Sequence, residues 1–247
     1  VARGDDDAVR WVRFDYDDPA TFQPALMGAD RVFLMVRPGD DAADVTGVPF
    51  IDAVEASGVG RVVALTAMGV DRLEGTALRR IERRLERSAL TWTFLRPNFF
   101  MQVFSRDPLR AAIRVTGAIR VPAASATLSF VDSRDIADVA CAALTEPGHG
   151  GRAYTLTGPE ALSHDQVAAI ISGAAGRSIR YEAIDEDQSR AELTAAGLLP
   201  GRVERLLGFY RAVRTGWCSP VSTAVPDVLG REPSPIERFA ADHVAAW

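Results

Sequence analysis

Short runs of wholly apolar, largely β-branched residues recur along the first two-thirds of the chain, each followed by a helical stretch. This alternation constrains the fold more than any other feature. Residues Arg10–Tyr16, Arg31–Val36, Arg61–Thr66 and Thr91–Leu95 read as strands. Between them, Asp18–Gly28, Val48–Ser57 and Thr76–Ser88 read as helices. Asp18 stands at an N-cap with Pro19 in the first turn, and Gly58 ends the second helix. Strands without an in–out alternation of polarity are buried on both faces, which is the condition of a parallel sheet covered by helices on either side. The pattern predicts an α/β fold, doubly wound on a mostly parallel sheet.

Beyond Phe104 the rhythm changes. Pro108–Val115 reads as a helix, Leu128–Val131 as a short strand, and Ser133–Thr145 as a helix capped by Ser133. A strand follows at Ala153–Thr157, then a helix capped by Ser163 that runs to Ala175, then a strand at Ile179–Ile184. From Asp187 onward the sequence is mainly helical and broken at Pro200, Pro220, Pro226 and Pro233. The reading is a sheet domain over residues 1–160 and a smaller, mainly helical C-terminal lobe over 161–247, with 105–130 contributing to it.

Composition then narrows the function. The 28 basic and 33 acidic residues among 247 leave a net charge of −5, which argues against a nucleic-acid or anionic-membrane partner. All the basic residues are arginine, so no Walker lysine, Schiff-base lysine or Tyr-x-x-x-Lys dyad exists in this sequence. Cys141 and Cys218 are too few for a disulfide framework or a cysteine zinc site, and a cytoplasmic setting is expected. His149, His164 and His243 have no ligand spacing; they are assigned to surface or capping positions, and no metal site is expected. The arginines of 79–87, interleaved with Glu82 and Glu86, read as an exposed face laced with ion pairs.

In an open α/β sheet, ligands bind at the carboxyl ends of the strands. Four segments should meet there: Phe14-Asp15-Tyr16, Val36-Arg37-Pro38, Leu65-Thr66-Ala67-Met68 and Arg96-Pro97-Asn98-Phe99-Phe100. Asp15 suits the amino group of an adenine, Thr66 and Asn98 offer neutral hydrogen bonds, and Phe99 and Phe100 suit a pocket wall. The helical run Leu206, Leu207, Phe209, Tyr210, Val213 and Trp217 reads either as packing of the C-terminal lobe or as a lid over an apolar substrate.

The run Leu95-Arg96-Pro97-Asn98-Phe99-Phe100-Met101-Gln102 resembles a signature of the NmrA-like family of atypical short-chain dehydrogenases. So do Ser129-Phe130-Val131-Asp132-Ser133-Arg134-Asp135-Ile136-Ala137 and Tyr154-Thr155-Leu156-Thr157-Gly158-Pro159-Glu160. The resemblance implies a Rossmann-like domain that binds NADP or NAD, with NADP favoured, and a small-molecule substrate held between that domain and the C-terminal lobe. Matched by position, Asp15 and Tyr16 would line the adenine, and Val36, Arg37 and Pro38 the nicotinamide ribose. Thr66, Ala67 and Met68 would lie beside the nicotinamide, and Pro97, Asn98 and Phe99 would close that pocket. Phe100, Met101, Phe209 and Trp217 would form the substrate pocket, in a monomer or homodimer.

Two departures accompany the resemblance. The family's first strand, glycine turn and first helix would precede Val1, and an upstream segment is expected to supply them. Where some relatives use a lysine as proton relay, this sequence has Leu78, so no catalytic residue is assigned. The reading is an NAD(P)H-dependent reductase of a small aromatic or polycyclic carbonyl, enone or imine. A redox-sensing regulator without catalysis and a cofactor-free isomerase or cyclase are the alternatives.

Overall fold

The computed structural model describes residues 10–37 and 40–247. Four parallel strands form the main sheet: β1 (Arg31–Leu34), β2 (Arg61–Leu65), β3 (Thr91–Pro97) and, after a long excursion, β6 (Arg152–Leu156), in the order β1-β2-β3-β6. Helix α1 (Phe22–Leu26) precedes β1, α2 (Ala43–Ala56) and α3 (Ala77–Glu86) link the first three strands, and α5 (Ser133–Thr145) precedes β6. The predicted doubly wound α/β architecture is the observed one.

The central strands β2 and β3 are buried on both faces, as their apolar runs require, while the edge strands β1 and β6 are partly exposed. Val62, Ala64 and Phe94 pack with Phe50, Ile51 and Val54 of α2 and with Ile81 and Leu85 of α3. Their neighbours Val63 and Leu95 point the other way, onto Ile136, Val139 and Ala140 of α5. A third core belongs to the second lobe. It joins α4 (Leu109–Thr116), β4 (Ala118–Val121) and β5 (Thr127–Leu128) to β7 (Leu162–Ser163), α6 (His164–Ala175) and β8 (Arg180–Ala183). Helices α7 (Glu186–Ala195), α8 (Pro200–Arg214), α9 (Ala224–Leu229) and α10 (Ile236–Asp242) complete the chain. Helix α10 packs on α6, whereas α9 returns to the sheet domain against α5 and β6. No helix among the described residues is long and apolar enough to cross a membrane.

Several local expectations are corrected. Residues 10–15 form no strand: no described strand lies alongside to complete a ladder, and Phe14 instead enters an aromatic cluster with Tyr16, Phe22 and Phe50. Helix α2 begins at Ala43, earlier than Val48, and carries Pro49 inside it. The carbonyl that Pro49 leaves without an N–H partner belongs to Val45, which is exposed, so water can satisfy it. The N-cap of α5 is Asp132, whose carboxylate accepts the Arg134 N–H, rather than Ser133. The pairing of β4 with β8 joins segments 62 residues apart and was not anticipated at β4. The caps at Asp18 and Ser163 are as expected, the latter a full capping box with Gln166.

The arginine-rich helix α3 is the largest correction. Glu82 has no solvent exposure and Arg79 only 5%, so this face of α3 turns inward. Glu82 has buried partners on both neighbouring strands, which the i,i+3 and i,i+4 spacing of the charges does not reveal.

Candidate active site

The carboxyl ends of β1, β2 and β3 lie side by side, and backbone bonds carry the sheet past the formal strand ends. Thr66 N donates to Leu95 O (2.8 Å), Met68 N to Pro97 O (2.9 Å) and Asn98 N to Leu156 O (2.9 Å). Val36, Thr66–Met68 and Pro97–Phe99 therefore occupy one edge of the sheet, where the sequence placed them. Pro38 lies outside the described residues.

At the β1 end, Arg37 bridges Asp15 (3.3 Å) and Asp17 (2.5 Å), and Tyr16 donates its hydroxyl to Met35 O (3.1 Å). Burial pushes the Tyr16 phenol up to about 12 despite the opposing field of Arg37, so it remains a neutral donor at physiological pH. Asp15 and Arg37 are half-exposed and leave a carboxylate and a guanidinium facing the solvent side of this edge.

At the β2 and β3 ends, Glu82 organises the edge from beneath. It accepts from Thr66 Oγ1 (2.9 Å), Arg79 (2.7 Å) and, in a bidentate pair, Arg96 Nε and Nη2 (2.9 and 2.8 Å). The Asn98 amide nitrogen is committed to Ser129 Oγ and Cys218 O, both at 2.8 Å, and so ties β3 to the second lobe. Trp217 makes another tie. Gly69, with φ +79°, lets the loop after β2 approach so closely that a Cβ there would sit 2.5 Å from the indole. The Arg72 guanidinium lies over the same ring at 5.5 Å.

Directly beyond Asn98 opens a cavity of about 1280 Å³, larger than the roughly 300–1,000 Å³ typical of small-molecule sites. Phe99, Phe100 and Gln102 line its sheet side, α4, α7 and α8 supply most of the rest, and β4, Ser133, His164 and the segment before α4 complete it. Leu206, Phe209 and Tyr210 face it from α8, and Phe209 meets Phe99 edge-on at 4.6 Å. The helical run that admitted two readings thus divides: Leu207 and Val213 are core, whereas Leu206, Phe209 and Tyr210 form a wall. Of the four residues assigned to the substrate pocket, Phe100 and Phe209 line the cavity. Met101 packs in the lobe core, and Trp217 rests on Gly69 instead.

Arginines mark the cavity as well. Arg120 is paired with Glu182 and Glu192, and Arg205 with Asp41. Arg106 and Arg202 line the cavity, are exposed, and enter no ion pair among the described residues. Deeper in, His164 is 2% exposed and lines the cavity, contrary to its expected surface or capping role. Burial depresses its imidazole to about 4, so the ring is neutral at physiological pH. A sequence signal for this existed: His164, Val167, Ala168 and Ile171 follow the i, i+3, i+4, i+7 pattern of one buried helix face. Tyr210 stands in the helical run that reads as packing or a lid, whereas Glu82, on a face that reads as exposed, had no comparable signal, because Thr66 and Arg96 lie on distant segments.

The sequence profile of the NmrA-like family matches residues 4–204. This chain belongs to the NmrA-like family. Among relatives, it is 35% identical to an NAD(P)H azoreductase of Xenophilus azovorans, over 94% of this chain and 82% of that protein. It is 34% identical to (4-alkanoyl-5-oxo-2,5-dihydrofuran-3-yl)methyl phosphate reductase of Streptomyces griseus, over 97% of this chain and 84% of that one. Among solved structures, triphenylmethane reductase of Citrobacter sp., complexed with NADP(H), superposes with a TM-score of 0.81 at 22% identity. That match covers 94% of this chain and 82% of the reductase, and it agrees with the Rossmann-like fold of this NmrA-like protein.

Proposed function

We propose that this NmrA-like chain is an NAD(P)H-dependent reductase of a small aromatic or polycyclic acceptor, in which cofactor and acceptor meet at Pro97–Phe100. The observation that carries this reading is continuity. The sheet edge formed by Thr66, Pro97 and Asn98 runs without interruption into Phe99 and Phe100, which wall the apolar cavity. The names of the azoreductase and of the furan phosphate reductase, each similar to nearly all of this chain, support a reductase.

The polar groups on the sheet edge suit the base and ribose ends of a dinucleotide. Asp15, Tyr16 and Arg37 supply a carboxylate, a hydroxyl and a guanidinium at one end, and the uncharged Thr66–Met68 and Pro97–Phe99 segments flank the other. Among the described residues no glycine-rich turn joins a strand to a helix along this edge, so no residue is assigned to the pyrophosphate. When bound, a reduced nicotinamide supplies a hydride.

The chain's own part is alignment and exclusion of water. Glu82 holds the Thr66 hydroxyl and the Arg96 guanidinium and so fixes the heights of two adjacent strand ends. Phe99, Phe209 and Tyr210 present an apolar aromatic wall that orients an aromatic acceptor and keeps water from the reacting faces.

Fluorescence titration with NADPH and NADH tests the first half, and reduction of 1,4-naphthoquinone and an azo dye tests the second. Binding with turnover is expected. Cofactor binding with no turnover across a broad acceptor panel would favour a redox sensor, and failure to bind either cofactor would refute the reading.

A further inference from the structure

Helix α6 begins with a complete capping box: Ser163 Oγ accepts from Gln166 N, and the Gln166 side chain accepts from Ser163 N. The helix start is therefore satisfied without His164, the next residue. Yet an imidazole, rather than an aliphatic side chain, continues the buried face of Val167, Ala168 and Ile171. Its ring sits among aromatic rings, with centroids 5.6 Å from Phe130, 5.5 Å from Tyr181 and 6.2 Å from Tyr210. Its Nδ1 is buried with no hydrogen-bond partner among the described residues. A buried polar atom left unpaired is unfavourable, and native structures retain one where something else satisfies it. The other ring nitrogen, Nε2, is not sealed off in the same way and makes no hydrogen bond among the described residues, and His164 lines the cavity, so a ligand there is the available partner of the ring.

We propose that His164 is the specificity-determining polar contact of the cavity, selecting aromatic ligands that carry one uncharged hydrogen-bonding atom, a phenolic hydroxyl or a carbonyl, at the end that enters first. The proposal rests on the reading of the cavity as the acceptor site. A neutral imidazole has one N–H donor and one acceptor nitrogen, so it serves either group. The desolvated ring and the aromatic side chains around it disfavour a charged group at that depth. Discrimination follows from the asymmetry of hydrogen bonding: a ligand that lacks the polar atom leaves the histidine unpaired, whereas one that carries it removes an existing penalty.

The test is a matched pair of near-isosteric probes, 2-naphthol and 2-methylnaphthalene, titrated calorimetrically into the whole chain without cofactor. The wild type is expected to bind 2-naphthol at least about tenfold more tightly. His164→Phe should remove or invert the preference while 2-methylnaphthalene still binds, and His164→Gln should keep it. With ¹⁵N-histidine labelling, the His164 ring nitrogens should shift with 2-naphthol and not with 2-methylnaphthalene, a change a purely structural histidine would not show. Equal affinities in the wild type, an unchanged preference in His164→Phe, or no binding of either probe would overturn the proposal. Because neither turnover nor cofactor enters the measurement, the two readings fail separately: discrimination between the probes together with no turnover of any quinone or azo acceptor would refute the reductase reading and leave this one standing.

Discussion

Replacing Glu82 by glutamine should destabilise the protein by about 3–5 kcal/mol, the range found when one partner of a buried ion pair is removed. Glu82 is fully buried and accepts from Thr66, Arg79 and twice from Arg96. The two arginines are not equally dependent on it. Arg79 retains Glu86 at 2.9 Å and Glu74 at 3.3 Å, so its charge stays compensated. Among the described residues Arg96 retains only Asp71 at 3.5 Å, and Asp71 is exposed enough for water to weaken the pair. Most of the loss therefore arises at Arg96, whose guanidinium is left nearly buried with no close counter-charge. For a chain of this size, the loss corresponds to a fall in Tm of roughly 6–20 °C. Urea denaturation followed by circular dichroism measures it as a lower midpoint at unchanged slope. The double variant Glu82→Leu with Arg96→Met removes both charges together and should recover most of the loss, since a buried pair is worth little more than an apolar replacement of similar volume. A Glu82→Gln variant within about 1 kcal/mol of wild type would refute the argument that Glu82 is the counter-charge of Arg96.

His164 makes stability pH-dependent. Its folded pKa, near 4, lies below the ordinary 6.5, so the unfolded chain takes up the proton first as the pH falls. The contribution is whole above about pH 6.5 and is lost toward pH 4, a swing of about 3 kcal/mol, and His164→Phe should flatten the urea midpoint over that window by a corresponding amount. Gly158→Ala should impair folding, because a Cβ there would run into the Phe130 carbonyl oxygen, a clash only backbone movement relieves. Gly173→Ala, in open space within α6, should instead stabilise by about 0.5–1 kcal/mol, and thermal melts of the two variants give the comparison. Arg106→Glu and Arg202→Glu should raise KM several-fold for 1,2-naphthoquinone-4-sulfonate and leave neutral 1,4-naphthoquinone unaffected, with the difference shrinking at high salt.

The parallel sheet, its helices and the edge on which ligands are expected were legible in the sequence, because the signals involved are local. Strand runs such as Arg61-Val62-Val63-Ala64-Leu65 declare burial on both faces, and Asp18 and Ser163 cap helices through bonds to residues two or three positions away. Since parallel strands end on the same side of a sheet, the order of elements alone brought Thr66, Pro97 and Asn98 together. The tertiary structure decided what each side chain faces. Glu82 and the arginines around it look like a solvated helix surface until β2 and β3 place Thr66 and Arg96 against them. His164 looks like a helix-start residue until the aromatic rings of three other segments enclose it. The cavity belongs to no single segment: it is the space left where α4, α7 and α8, with β4 and the start of α6, meet the chain beyond β3. Periodicity reports which face of an element is buried, whereas the identity of the neighbour across that face depends on contacts between residues far apart in sequence, and those contacts make the site.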